Sequence, residues 1–323
     1  MNLRRGLACL WLGAFLLFAS VAHGNFESLD SAATMHAARA LYLRGDSGLR
    51  RFDQGAEWLG EGLLAEHVTA QRKAGVHYYG KEGTNGLVYV WFPMGHVWLM
   101  VPFVALGERL AQTFPEVEEH YRRTVAPDLE PKNVVESLSY RDNHLVFANA
   151  AVATLLPALC GATMLLLLFG IARALGASVR DALWSAAAVT LATQLFPLGR
   201  ETLSDGPGLM FLLAALLAVV RVHVGTASWR TLLLGGAALG AAVLTRYAHG
   251  FLAPFLVLAV FAAACRRGSW SPVLWFALGG LPFFCLLVGI NHARFGAASD
   301  TGYPPFLSWF NYPLPYGLLK LLI

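Results

Sequence analysis

The chain has 323 residues, of which 56% are hydrophobic and 14% charged, with a net charge of +4. A water-soluble globular domain carries roughly 25% charged residues, so this composition excludes an ordinary soluble enzyme and makes the bilayer the expected solvent. All but four of the 20 acidic residues, Asp181, Glu201, Asp205 and Asp300, fall between residues 24 and 144, which marks that stretch as the polar region.

Residues 1–23 begin with Arg4 and Arg5, continue through an apolar run and end near small Ser20 and Ala22. That form suits either a cleaved signal peptide or a retained first membrane helix, and both leave residue 24 outside. Further apolar segments long enough, or nearly so, to cross a membrane occupy 146–171, 182–198, 207–222, 232–249, 251–264 and 272–290, with 251–264 the weakest. Lysine and arginine in short loops mark the cytoplasmic side. Arg4/Arg5, Arg173/Arg180, Arg221/Arg230 and Arg266/Arg267 then alternate correctly as inside anchors. The connections 24–144, 199–206, 245–250 and 291–310 fall outside. The segment 87–107 is apolar enough to cross, but a crossing there would invert every later anchor. With Pro93, Gly95, His96 and Pro102 interrupting it, an interfacial or re-entrant element is expected. The fold class is therefore all-α: a polytopic helical membrane protein with a large outer loop (24–144) containing interfacial helices, followed by a helical bundle over 145–323.

Within the outer loop, Leu29, Ala33, Met35, Ala38 and Leu41 form a rough helical stripe that ends before Gly45. Asp30 at its start suits a helix N-cap, or a general base deprotonating an acceptor hydroxyl at the membrane surface. In the second outer connection, Arg200, Glu201, Ser204 and Asp205 make either a polar turn or a carboxylate site. Glu201 and Asp205 are oxygen donors suited to magnesium or manganese. Arg246 and His249 lie three apart on one expected helix face. An unpaired arginine there offers planar donors to a phosphate, or snorkels to the interface. Lys81 is a further candidate anion contact. No histidine pair has the HExxH spacing of a zinc site, and the four cysteines show neither pairing nor ligand spacing. Phosphate-binding glycine loops, a nucleophile elbow and a basic-aromatic pattern for nucleic acid are all missing. Transporters or flippases form the rival class, with Arg246, Glu201 and Asp205 lining a path, although the chain lacks repeated halves. A non-catalytic assembly subunit is the third.

Four segments carry a resemblance that spans nearly the whole chain. They are LDSAATMHAARALYLRGD after the first span, YVWFPMG, the acidic turn GRETLSDGP, and NHARFGAASDTGY, the most distinctive. Together they resemble the GT-C glycosyltransferases that use polyprenyl-phosphate sugars, among them lipid A aminoarabinose transferases and protein mannosyltransferases. Where that family often has two adjacent acids, Asp30 is followed by Ser31. Members are usually longer than this chain, which stops in the apolar run YGLLKLLI, so a truncated or minimal version is expected. The resemblance implies a GT-C fold in a bacterial-type inner membrane with its site on the periplasmic side. It also implies inverting transfer of a sugar from polyprenyl phosphate to a glycan, lipid or protein acceptor. In that scheme Asp30 is the general base, with Lys81, Arg200, Glu201, Asp205, Arg246, His249 and Tyr303 as substrate contacts.

Overall fold

The computed structural model describes residues 3–22, 24, 26, 28–73, 79–124 and 146–303. Twelve α-helices and one β-hairpin follow in chain order among these residues. The first half contains α1 (Leu3–Val21), α2 (Leu29–Arg44), α3 (Leu59–Lys73), β1 (Gly80–Glu82), β2 (Val88–Val90), α4 (Met94–Thr113) and α5 (Pro115–Thr124). The second half contains α6 (Val146–Ala174), α7 (Val179–Ala192), α8 (Leu195–Leu198), α9 (Asp205–His223), α10 (Trp229–Thr245), α11 (Ala253–Arg267) and α12 (Ser271–Phe295). Residues 125–144 of the expected outer loop and the terminal run 316–323 lie outside the described residues.

Four helical stretches are long and apolar enough to cross a membrane: α6, α9, Tyr247–Arg267 and α12. The protein is an integral membrane protein built on helices, because a spanning segment must satisfy its own backbone hydrogen bonds. Residues 251–264, the weakest apolar segment, belong to one of these four, where a 3-10 turn at Tyr247–Phe251 leads into α11. The expected segment 182–198 is not one continuous helix. Helix α7 has only 14 residues and stops at extended Thr193, and α8 has four. Glycines let α10 and α12 approach backbone to backbone. A Cβ at Gly236 would lie 1.8 Å from the Phe276 carbonyl oxygen, and one at Gly279 2.0 Å from that of Leu233. Small residues at the interface allow such packing where lipid supplies no hydrophobic drive.

Helix α6 runs antiparallel to α1, with Trp11 Nε1 donating to Thr163 Oγ1 at 3.3 Å and Leu7 packed in the cluster around Phe169. Its 29 residues extend about 43 Å at 1.5 Å per residue, longer than a ~30 Å hydrocarbon core. Its start packs closely on α4, where a Cβ on Gly107 would lie 2.2 Å from the Ala148 Cα. Helix α4 also follows α2, through the Arg39–Glu108 ion pair at 2.6 Å. At its other end, Gly95 lies against the end of α10, where a Cβ would come 2.7 Å from the Leu244 carbonyl. Segment 87–107 is thus a strand and then a continuous helix. Pro93 stands at the helix N-cap, whereas Gly95, His96 and Pro102 sit inside α4 and do not interrupt it.

Helix α2 departs from the expected interfacial stripe. Residues 31–38 are buried on every side, and the side chain that caps it is Ser28, accepting from the Ser31 amide at 3.2 Å. Asp30 is in the first turn and is not the cap. The polar half is held by Glu61, which is fully buried. It accepts from Arg44 at 2.5 Å and from the Arg50 and Glu57 amides at 2.9 Å each. Truncating one partner of a buried, hydrogen-bonded pair costs about 3–5 kcal/mol because the other charge stays buried. Glu61→Ala should therefore lower the unfolding midpoint sharply in detergent, and Glu61→Gln, which keeps some of the acceptors, should lower it less. Wild-type melting of Glu61→Ala would show that the pair does not hold this part of the fold.

Candidate active site

A cavity of about 870 Å³ opens where several helices begin or end at the same level. Five stretches wall it: the first turns of α2, the Trp91–His96 junction into α4, Thr202–Asp205, Arg246–Phe251 and Ser299–Tyr303. Arg246 reaches it because α10 stops there, with φ −149° and ψ 113° in the extended region. This break corrects the expected common helix face. His249 falls on the following 3-10 turn and packs beside α9, where a Cβ on Gly208 would lie 2.6 Å from its Nε2.

Arg246 is not the unpaired cation expected from sequence. Its Nη1 donates to Asp205 Oδ2 at 2.5 Å and to Ser204 Oγ at 3.2 Å. Asp205 stands in the first turn of α9, where the helix dipole adds to the attraction for a carboxylate. Ser204 occupies the N-cap of α9 without a side-chain capping bond, its hydroxyl being directed to Arg246.

Asp30 is the exception among the charges of the cavity. Among the described residues it has neither an ion-pair nor a side-chain hydrogen-bond partner. Burial raises its pKa above the ordinary 3.8, an effect that the Arg246 charge partly offsets. Thr34 Oγ1 donates to the Asp30 backbone carbonyl at 2.7 Å, so the helix and not the carboxylate takes that bond.

Tyr303 lines the cavity, stacked on Trp91 with ring centroids 5.0 Å apart and edge-on to Tyr247 at 5.8 Å. Burial pushes its phenol up to about 12, so the hydroxyl keeps its proton at neutral pH. Lys81, Arg200, Glu201 and His249 do not line the cavity. Lys81 on β1 pairs with Asp300, which does line it. Asp300 is itself partly buried, yet the Lys81 contact and the Gly302 amide hold it below the ordinary carboxylate range. Arg200 instead donates to the Val21 carbonyl at 2.9 Å, fastening the end of α1. As for a cation, no three His, Cys, Asp or Glu side chains gather within reach of one ion among the described residues. Asp205 is already committed to Arg246 and Glu201 lies off the cavity, so the magnesium or manganese expectation does not fit this residue set.

Two residues outside the expected set of substrate contacts are central. His96 is buried, and its Nε2 meets the Thr202 carbonyl at 3.0 Å. A carbonyl only accepts, so Nε2 carries the proton; burial lowers the pKa to about 4 and keeps the ring neutral. The only hint was a histidine inside an apolar run. Arg294, within the NHARFGAASDTGY segment, is also buried. It donates to Ser47 Oγ and Met94 Sδ at 2.6 Å each and lies 4.9 Å over the Tyr89 ring. With the Thr84 amide donating to its carbonyl at 2.9 Å, it fastens the end of α12 to the β1–β2 hairpin. That tie gives the buried arginine its partners at the end of α12.

The fold and cavity define a polytopic helical membrane protein with a polar, aromatic-walled chamber at one end of its bundle. A family profile described as dolichyl-phosphate-mannose-protein mannosyltransferase matches residues 135–290, a little under half of the chain. No curated protein and no solved structure matches it.

The free carboxylate has a measurable cost. The folded state holds the Asp30 proton more tightly than the unfolded chain, so ionising it as pH rises past 3.8 destabilises the fold. Asp30→Asn should melt above wild type at pH 7, and the two curves should converge below pH 3.8 in thermal scans across pH.

Proposed function

We propose that this protein is a membrane glycosyltransferase that moves a sugar from a polyprenyl-phosphate donor to an acceptor hydroxyl, with Asp30 as general base. The observation that carries this is the isolation of Asp30. It is the cavity carboxylate left without a partner while Asp205 is held by Arg246. The family match over residues 135–290, whose printed name describes sugar transfer from a dolichyl phosphate, supports the donor class.

The acceptor hydroxyl gives its proton to Asp30 as its oxygen bonds the anomeric carbon. The bond from that carbon to the phosphate oxygen breaks on the opposite face, and polyprenyl phosphate leaves with the electron pair. Attack opposite the leaving group inverts the anomeric centre. Negative charge grows on the departing phosphate, and the Arg246 edge not bonded to Asp205 is placed to stabilise it. Tyr303, protonated at neutral pH, and the Trp91 indole give the sugar an aromatic wall with a hydroxyl donor.

The membrane placement supported best sets the cavity, α2, α3, the hairpin and α4 on the outer side. Helix α4 follows α2 and the start of α6, and the clustered arginines of the α6–α7 and α9–α10 connections lie at the opposite end. The transport alternative has no observation of its own in its favour.

The test is transfer of a radiolabelled sugar from a polyprenyl-phosphate donor by the purified full chain. Losing a general base costs about 10²–10⁴-fold. Asp30→Asn should lose activity by that factor with little change in donor binding, and Arg246→Gln should lose both turnover and donor affinity. Wild-type rates should rise with pH through a limb above 3.8, because only ionised Asp30 accepts the proton. Undiminished turnover in Asp30→Asn would remove it from the mechanism.

A further inference from the structure

At the end of the bundle away from this cavity, a second cavity of about 530 Å³ lies between α1, α6 and α9. Leu7, Leu166, Phe169 and Leu217 give it hydrocarbon walls, and Arg173 and Arg221 flank them. The two arginines come from the last turns of different helices, 48 positions apart in sequence. Each alone is accounted for by its place near a helix C-terminus and on the positive side of the membrane. Their convergence on one apolar cleft is not.

Among the described residues no carboxylate lines the cleft. Asp181, the acid nearest in sequence to Arg173, is hydrogen-bonded to Ser178, which caps α7. Arg173 gives one N–H to the Ala177 carbonyl at 2.5 Å, which leaves further donors on its guanidinium. The Arg221 side chain is partly buried and has neither an ion-pair nor a hydrogen-bond partner among the described residues. Two like charges beside hydrocarbon repel each other and lack the counter-charge that a partly buried cation requires.

We propose that this cleft binds one anionic phospholipid. Its phosphate bridges Arg173 and Arg221, and an acyl chain lies along Leu7, Leu166, Phe169 and Leu217. A bare anion would satisfy the guanidiniums and leave the apolar floor empty, whereas a zwitterionic lipid would bring its own cation to the arginines. Basic pockets between membrane helices on the cytoplasmic side suit such headgroups. Gly170 keeps the wall low: a Cβ there would come 3.3 Å from Leu217 Cδ2, so a bulky side chain fills the space. The site is separate from sugar transfer and stands whether or not the protein is a transferase.

Native mass spectrometry of the full chain, loaded with phosphatidylglycerol or phosphatidylcholine of matched chain length, tests this. Wild type should retain phosphatidylglycerol preferentially. The double variant Arg173→Gln/Arg221→Gln should retain it roughly 30-fold more weakly, with phosphatidylcholine unchanged. Arg173→Lys/Arg221→Lys should restore most of the preference, separating lost charge from misfolding. Gly170→Phe should lose the bound lipid while keeping both arginines. Equal phosphatidylglycerol retention by wild type and the glutamine double variant would overturn the proposal. Displacement of the lipid by inorganic phosphate alone would overturn it too, because the cleft would then be a site for free anions.

Discussion

The Arg246–Asp205 ion pair joins the end of one membrane helix to the beginning of another, and the cavity exists because helices stop there. In hydrocarbon a helix end leaves unsatisfied backbone groups, so helices terminate only where water or protein meets them. Helix α10 stops at Arg246, α9 starts at Asp205 and α12 closes at Phe295. The pair is about a third exposed, so it does not act as a buried electrostatic bolt. What it contributes is assignment of charge: it ties the cation of the chamber to Asp205, and with Asp300 paired to Lys81 it leaves Asp30 in a partly buried setting that raises its pKa.

The hairpin and the late segment reach this chamber through a few long-range ties. Arg294 holds the end of α12 to Ser47, Met94 and Tyr89, and Lys81 pairs with Asp300. Both link the late segment to the hairpin, which leads directly into Trp91 and His96. Gly95 completes the arrangement by letting the start of α4 touch the end of α10. The short YVWFPMG and NHARFGAASDTGY segments are thus understood as two halves of one clamp around the cavity, with Tyr303 stacked on Trp91 where they meet.

The two ends of the bundle use arginine differently. At the chamber, Arg246 and Arg294 are engaged by protein groups. At the far end, Arg173 and Arg221 face a cleft with hydrocarbon walls and, among the described residues, no acid in its lining. A charge close to lipid needs a partner, and where the protein supplies none the membrane itself is the available source.

Hydropathy and charge were enough to read a helical membrane protein with a polar early domain, because helix length and desolvation cost act on local sequence. The same patterning placed Asp30, Asp205 and Arg246 among the candidates, the family resemblance added Tyr303, and all four line the cavity. It did not separate them from Lys81, Arg200, Glu201 and His249, because a loop residue's direction depends on where the helix breaks. The extended backbone at Arg246 sends its side chain into the chamber, and the turn after it sends His249 against Gly208. Nor did periodicity reveal His96, whose burial depends on the Thr202 carbonyl 106 positions away, or the pairing that neutralises Arg246. The helices follow from local composition and solvent. Which carboxylate is left without a partner is a property of distant residues brought together, and only the tertiary structure decides it.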